Sequence, residues 1–140
     1  MTNDLKRAGS ILVNGEYTCV LCRDDMIFTS KEKGIKPLIE FIDSGIDFNG
    51  FSAADTIVGR AAAFLYILMG VCSVYADVIS EGASLLLREN EISFEYSVKT
   101  KDIHNRSNTG LCPMEEAVKN INEPQAALAA IRDKLAEIIK

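Results

Sequence analysis

SAADTIVGRAAAFLYILM, residues 52–69, is the stretch that decides the organisation of the chain. We interpret it as one long helix, with two polar turns followed by three turns that are almost wholly apolar. Gly70 suits the left-handed conformation that ends a helix, and the apolar turns predict burial in the core. In the polar turns Asp55 and Gly59 are four residues apart, so a helix would place them on one face, next to Arg60.

Turn residues and hydrophobic periodicity divide the rest of the chain into alternating elements. Before this stretch they predict a helix over 3–13, a hairpin of strands over 17–22 and 26–29, and a helix over 37–45. After it they predict strands over 72–79 and 92–98, and helices over 80–88, over 113–120 and from 124 onward. This order predicts a single domain over residues 1–140. Its class is α/β, a three-layer α/β/α sandwich with a mixed sheet.

Composition and charge exclude several classes of protein. The 140 residues are 48% hydrophobic and carry a net charge of −5, so a core can form while a general nucleic-acid polymer or anionic membrane is a poor partner. The apolar run over 61–74 is interrupted and too short to span a membrane, and the first ten residues lack the apolar core of a signal peptide. We therefore expect a cytoplasmic protein whose four cysteines are free thiols.

Asp55, Gly59 and Arg60 form the first group of candidate site residues. A glycine inside a helix costs about 0.5–1 kcal/mol relative to alanine, which suggests that Gly59 keeps open a floor beside the acid. Arg60 would then hold an anionic group of a ligand. The structural alternative is equally open, because Ser52-x-x-Asp55 matches a capping box and a helix dipole favours an acid in the first turn. In this alternative Gly59 simply lets another element pack closely.

The second group lies in residues 105–115, around a helix that Pro113 begins. Cys112 would lie near the start of that helix, where unpaired backbone N–H groups favour a thiolate, so it is a candidate nucleophile. It could equally be a metal ligand or an ordinary buried thiol. Glu115 is a candidate acid or base, or a cap for its own helix. The preceding loop supplies candidate ligand-binding residues: Asn105, Arg106 and Thr109.

Two other features are weaker candidates for a catalytic or binding role. His104 is the only histidine, and a lone histidine in a polar loop favours a surface role. Cys19 and Cys22 have the spacing of a redox or zinc motif, but they fall in a strand pattern. Residues three apart in a strand point to opposite faces, so we interpret both as ordinary strand residues.

Residues 55–63 (DTIVGRAAA), 70–83 (GVCSVYADVISEGA) and 105–115 (NRSNTGLCPME) closely resemble the signatures of a family of small prokaryotic proteins called domain of unknown function 1893. The resemblance covers nearly the whole chain and implies a cytidine-deaminase-like fold. Zinc deaminases need H-x-E at one helix start and P-C-x-x-C at the next. This chain has GRAAA at 59–63 and Glu115 in place of the second cysteine. The zinc site is therefore degenerate, and we expect no metal and no other cofactor.

The resemblance implies that the two groups of candidate residues face each other across a pocket for an anionic small molecule, such as a nucleotide. In one hypothesis the chain is a zinc-independent enzyme, of hydrolase type, with Cys112 as nucleophile and Asp55 or Glu115 as acid or base. Arg60 and Arg106 would hold the anion. The alternative is a non-catalytic binding protein for a small molecule or nucleotide. A third hypothesis is a homo-oligomer that packs through the apolar helix or the C-terminal helix.

Overall fold

The computed structural model describes residues 3–105, 107 and 110–139, the last of these by its backbone alone. The described residues form six helices: α1 (Asn3–Asn14), α2 (Lys36–Asp43), α3 (Arg60–Met69), α4 (Glu81–Glu89), α5 (Pro113–Val118) and α6 (Pro124–Ile139). They also form five strands: β1 (Cys19–Arg23), β2 (Met26–Ser30), β3 (Ser52–Val58), β4 (Ser73–Ser80) and β5 (Ser93–Thr100). No helix in this part of the chain is long and apolar enough to cross a membrane.

The five strands make one mixed sheet in the order β2-β1-β3-β4-β5. β1 runs antiparallel to both β2 and β3, whereas β3, β4 and β5 run parallel to one another. The predicted hairpin, the mixed sheet and the alternation of strands with helices are confirmed. The register places Asp55 of β3 between Cys19 of β1 and Ala76 of β4.

The prediction of one helix over Ser52–Met69 is wrong in its first half. Residues 52–58 form β3, in the middle of the sheet, and α3 begins only at Arg60. Residues 52–55 are all buried, so this strand shows no alternation of apolar and polar positions, and its small residues resemble a helical pattern. Asp55 is therefore not in a first helical turn, and Ser52 and Asp55 do not form a capping box.

Neighbouring residues of β3 pack into two different parts of the core. Ala54 lies in a cluster with Ala8 and Leu12 of α1, while Ala53 lies in the larger cluster that contains Phe64 of α3. Successive side chains of a strand point to opposite faces, so Ala53 and Ala54 reach different clusters on the two sides of β3. α3 follows β3 after one residue, Gly59, and this junction sets the position of the candidate site.

Candidate functional site

A cavity of about 520 Å³ opens beside the junction between β3 and α3. Its walls also come from the start of β1, the segment before α2, the segment after β5 and the start of α5. The side chains able to hydrogen bond or react there include Thr18, Lys33, Asp55, His104, Cys112 and Glu115. One cavity is thus lined by Asp55, Gly59, Cys112 and Glu115. Asp55 comes from β3 and Gly59 from the junction before α3, whereas the sequence predicted both in one helix.

Asp55 is the most deeply buried polar group of this cavity, at 8% exposed. Its Oδ2 accepts a hydrogen bond of 2.7 Å from the hydroxyl of Tyr66 on α3. The same hydroxyl lies 3.4 Å from Sγ of Cys19, so the three groups form a hydrogen-bonded chain. Burial raises the pKa of Asp55 from 3.8 to about 7, although hydrogen bonds from Tyr66 and from the backbone of Ile57 and Thr56 act against the rise.

Glu115 caps α3 from another helix. Its Oε1 accepts the backbone N–H of Arg60 at 2.8 Å, and its Oε2 accepts that of Ala61 at 2.9 Å. Gly59, which precedes α3, provides no side-chain cap, so these two bonds satisfy N–H groups that the helix leaves unpaired. Glu115 therefore joins the start of α3 to α5, and the prediction that it closes its own helix is wrong.

Gly59 is a site of close approach and not a gap inside a helix. A Cβ at this position would lie 2.5 Å from Cδ of Glu115, much closer than two carbon atoms can pack. The φ of Gly59 is −99° with ψ at −172°, an extended conformation open to any residue. The glycine therefore lets the carboxylate of Glu115 approach closely, which is the structural alternative that the sequence offers. It lines the cavity with Asp55, but the prediction that it lies in a helix interior is wrong.

Arg60 is directed away from the cavity. Its Nη2 donates a hydrogen bond of 2.5 Å to the carbonyl oxygen of Ile121, and its guanidinium carbon lies 5.2 Å from the ring centroid of Phe64. The side chain also packs closely on Gly82, where a Cβ would lie 2.9 Å from Cγ of Arg60. Arg60 thus ties α3 to α4 and to the segment before α6, and it does not line the cavity.

Cys112 precedes α5 and is half-buried at the cavity wall. Its backbone N–H donates to the carbonyl of Ile103 at 2.9 Å, and Leu111 bridges to His104, so the segment after β5 is held against the start of α5. His104 is exposed, as expected for a surface residue, yet it also lines the cavity. Sequence reasoning assigned it no role there because the bridge that positions it joins two irregular segments.

The remaining candidate residues are placed as follows. Asn105 donates its backbone N–H to Gly110 at 2.9 Å and is not part of the described cavity wall. Arg106 and Thr109 lie outside the described residues. Lys33 lines the cavity from the polar loop before α2, and nothing in its local sequence signals this position. Within the described residues, no cluster of three or more His, Cys, Asp or Glu side chains could hold a metal ion.

Comparison with known proteins identifies the family to which the chain is similar. The family model described as "Domain of unknown function (DUF1893)" matches residues 7–135. The crystal structure of a DUF1893 family protein from Thermotoga maritima is similar to this chain at 29% identity and a TM-score of 0.84, covering 98% of this chain and 91% of that one. No curated protein matches the chain.

Proposed function

The chain belongs to the DUF1893 family, as its sequence predicts, and we propose that it is an enzyme that acts on a small molecule bound in the cavity. In this proposal Asp55 transfers protons and Cys112 is the nucleophile. The observation that carries the proposal is a buried carboxyl group with a pKa of about 7 on the wall of a cavity that also contains a thiol.

Asp55 has the properties of a general acid or base. A group with a pKa close to the working pH is present in both protonation states, which is what proton transfer in a reaction requires. Its pKa of about 7 follows from burial between β1, β4 and α3. The hydroxyl of Tyr66 donates to Oδ2 and so orients the carboxyl group at the cavity wall.

The Cys112 thiol would displace a leaving group from the ligand, with its proton carried to that group by Asp55, and water would then hydrolyse the bond to sulfur and restore the thiol. Glu115 takes a positioning role. A thiol becomes a nucleophile when a neighbouring base accepts its proton, and His104 and Asp55 line the same cavity as Cys112. Both oxygens of Glu115 are already occupied by backbone N–H groups of α3. This engagement disfavours Glu115 as the acid or base and makes it the link between the two helix starts that form the wall.

The walls favour a metabolite-sized ligand with an apolar body and one charged end. Ligand cavities of about 300–1,000 Å³ suit such molecules, and this one is about 520 Å³. Ile35, Ile103 and Met114 supply apolar surface, while Lys33 and His104 are the basic side chains of the described wall. These two would hold the anionic group, the role that the sequence assigned to Arg60 and Arg106. A nucleotide-like molecule remains our proposal for the ligand.

The arrangement of the elements supports a cytidine-deaminase-like, three-layer α/β/α fold. α1 packs on one face of the sheet and α3 on the other. The starts of α3 and α5 meet at the cavity, where the resemblance would place H-x-E and P-C-x-x-C. These helix starts carry Gly59, Ala61 and Cys112. Glu115 links α5 to the start of α3 by hydrogen bonds, in the region where a deaminase would hold zinc.

The alternative function is binding without catalysis. It is favoured by the role of Glu115, because a residue of the second motif here stabilises the fold and does not face the ligand with a free carboxylate. In this alternative Asp55 would donate or accept a hydrogen bond to the ligand but no covalent step would follow. The two functions predict the same ligand and differ only in turnover.

A ligand screen followed by a turnover assay tests the proposal. We would measure thermal shifts with anionic metabolites, including nucleotides, because a ligand at about 100 times its Kd adds about 2.7 kcal/mol to stability. Asp55→Asn should reduce the shift. The matched control is Asp133→Asn, since Asp133 is an exposed acid of α6 outside the described cavity wall.

Each stabilising compound would then be incubated with the protein and its conversion followed by mass spectrometry. We expect conversion by the native chain, loss of conversion in Cys112→Ser, and retention in Cys72→Ser, whose exposed thiol lies away from the cavity. Stabilisation without conversion would establish the binding alternative. Conversion that continues unchanged in Cys112→Ser would refute the nucleophile.

A further inference from the structure

β5 ends the sheet with a long and exposed strand. It pairs with β4 on one side, and no described strand pairs with it on the other. Six of its eight residues are exposed. The opposite edge, β2, has only five residues. An open edge presents unpaired backbone N–H and C=O groups and is a template for pairing with another chain, so β5 calls for an explanation.

The side chains of β5 divide by face into two distinct sets. Phe94, Tyr96 and Val98 alternate on one face, and Tyr96 and Val98 are 43% and 52% exposed. The other face carries Glu95, Ser97 and Lys99, all exposed. Large apolar side chains beside an open edge favour burial by a partner, and charges of opposite sign two residues to each side of Ser97 indicate which partner fits.

We propose that β5 pairs antiparallel with β5 of a second copy of this chain, across a twofold axis that passes through Ser97. This register places Glu95 opposite Lys99 of the second copy and Tyr96 opposite Val98. Symmetry repeats both pairs, so the contact contains two ion pairs and two apolar pairs. Opposed residues of an antiparallel pair share a face, and opposite charges or apolar groups in such positions are stabilising.

The neighbouring register lacks this complementarity. An axis through Tyr96 also keeps the faces matched, but it places Glu95 opposite Ser97 and Lys99 opposite Ser93. Both charges then lose their partners. An axis through Val98 would place Glu95 opposite Lys101, beyond the end of β5, and Lys99 opposite Ser97. The axis through Ser97 is therefore the one that pairs both charges within the strand.

Lys99 must change its contact when the pair forms. In the single chain its Nζ lies 5.2 Å from the ring centroid of Tyr96. Pairing moves the ammonium group from the aromatic ring to the carboxylate of Glu95 and leaves the Tyr96 ring against Val98. Lysines on edge strands can also prevent pairing with another chain, and in that role Lys99 would keep the chain monomeric.

Sedimentation of the full chain across a range of concentrations tests the pairing. We expect a reversible dimer. Glu95→Lys and Lys99→Glu each convert two attractive pairs into two repulsive ones, so each should weaken the dimer by about tenfold or more. The double variant carrying both changes restores opposite charges and should return the dimer to within about threefold of the native affinity. Glu123→Lys, an exposed charge reversal before α6, is the control and should have no effect.

Three results would overturn the proposal. One is a native chain that stays monomeric at every concentration, as expected if Lys99 prevents pairing at this edge. Another is a dimer that none of the β5 variants weakens, which would assign the contact to another surface. The last is a double variant that dimerises as weakly as the single ones. The second charge change restores the ion pairs, but it would not correct a misfolded chain or a non-specific effect.

Discussion

Glu115→Ala and Gly59→Ala should destabilise the chain by the same route. Glu115 holds the backbone N–H groups of Arg60 and Ala61 at 2.8 and 2.9 Å. Alanine at position 59 would place its Cβ 2.5 Å from Cδ of Glu115 and push the carboxylate away from these donors. Because φ of −99° is open to alanine, the clash and not the backbone opposes the change. Either substitution therefore removes the cap of α3.

The magnitude follows from the hydrogen bonds that are lost. Losing an N-cap costs about 0.5–2 kcal/mol, and a hydrogen bond to a charged group contributes about 1.5–3 kcal/mol. Glu115 is only half-buried, so water can reach the freed N–H groups and the cost falls below the sum of two such bonds. We expect Glu115→Ala to lower the free energy of unfolding by about 2–3 kcal/mol and Gly59→Ala by about 1–3 kcal/mol.

A double-mutant cycle in urea separates this account from a general loss of packing. Once Glu115 is alanine, the added Cβ at position 59 meets no carboxylate, so Gly59→Ala should then cost less than about 0.5 kcal/mol. Glu116→Ala, an exposed neighbour on α5, is the control and should change stability little. Strictly additive effects of the two substitutions would refute the reasoning, because they would show that Gly59 is not required by Glu115.

The remaining predictions concern the cavity and its thiols. The pKa of Asp55 is 3.8 in the unfolded chain and about 7 when folded, so the folded chain holds the extra proton in this range and stability falls as pH rises. From about pH 4 to about pH 8, the native chain should therefore lose about 4 kcal/mol of unfolding free energy relative to Asp55→Asn, as measured by urea titrations. A difference between the two chains that does not change with pH would contradict the raised pKa. Tyr66→Phe removes a hydrogen bond that lowers this pKa, so the same pH transition should move upward, and a downward move would exclude Tyr66 as the donor. Iodoacetamide should modify Cys72 and Cys112 in the folded chain, as measured by mass spectrometry, because the other two cysteines are buried. Equal modification of all four without denaturant would show that the core is open.

The sequence predicts most of the fold because its other elements carry clear local signals. The hairpin, β4, β5 and the amphipathic helices follow from periodicity and from turn residues. β3 does not, because its residues 52–55 are buried on both faces and include two alanines, which favour helices when taken alone. Only the pairing with β1 and β4 makes this segment a strand, and that information is not local.

The candidate site is predictable in part for the same reason. Asp55 and Cys112 stand out by residue type, and both line the cavity. The direction of the Arg60 side chain depends on the carbonyl oxygen of Ile121, which lies 61 residues away in the sequence, as well as on Phe64 one turn along the same face of α3. The partners of Glu115 likewise lie 54 and 55 residues away, so spacing within its own helix gave the wrong cap.

The pKa of the Asp55 carboxyl, followed by carbon NMR of the folded chain, tests the central claim most directly. That claim is that burial has prepared Asp55 to exchange a proton at the cavity wall. The structure predicts a titration at about 7, with the Asp55→Asn spectrum identifying the signal. A titration near the ordinary value of 3.8 would contradict the claim, because Asp55 would then be a solvated carboxylate with no reason to act as an acid or base.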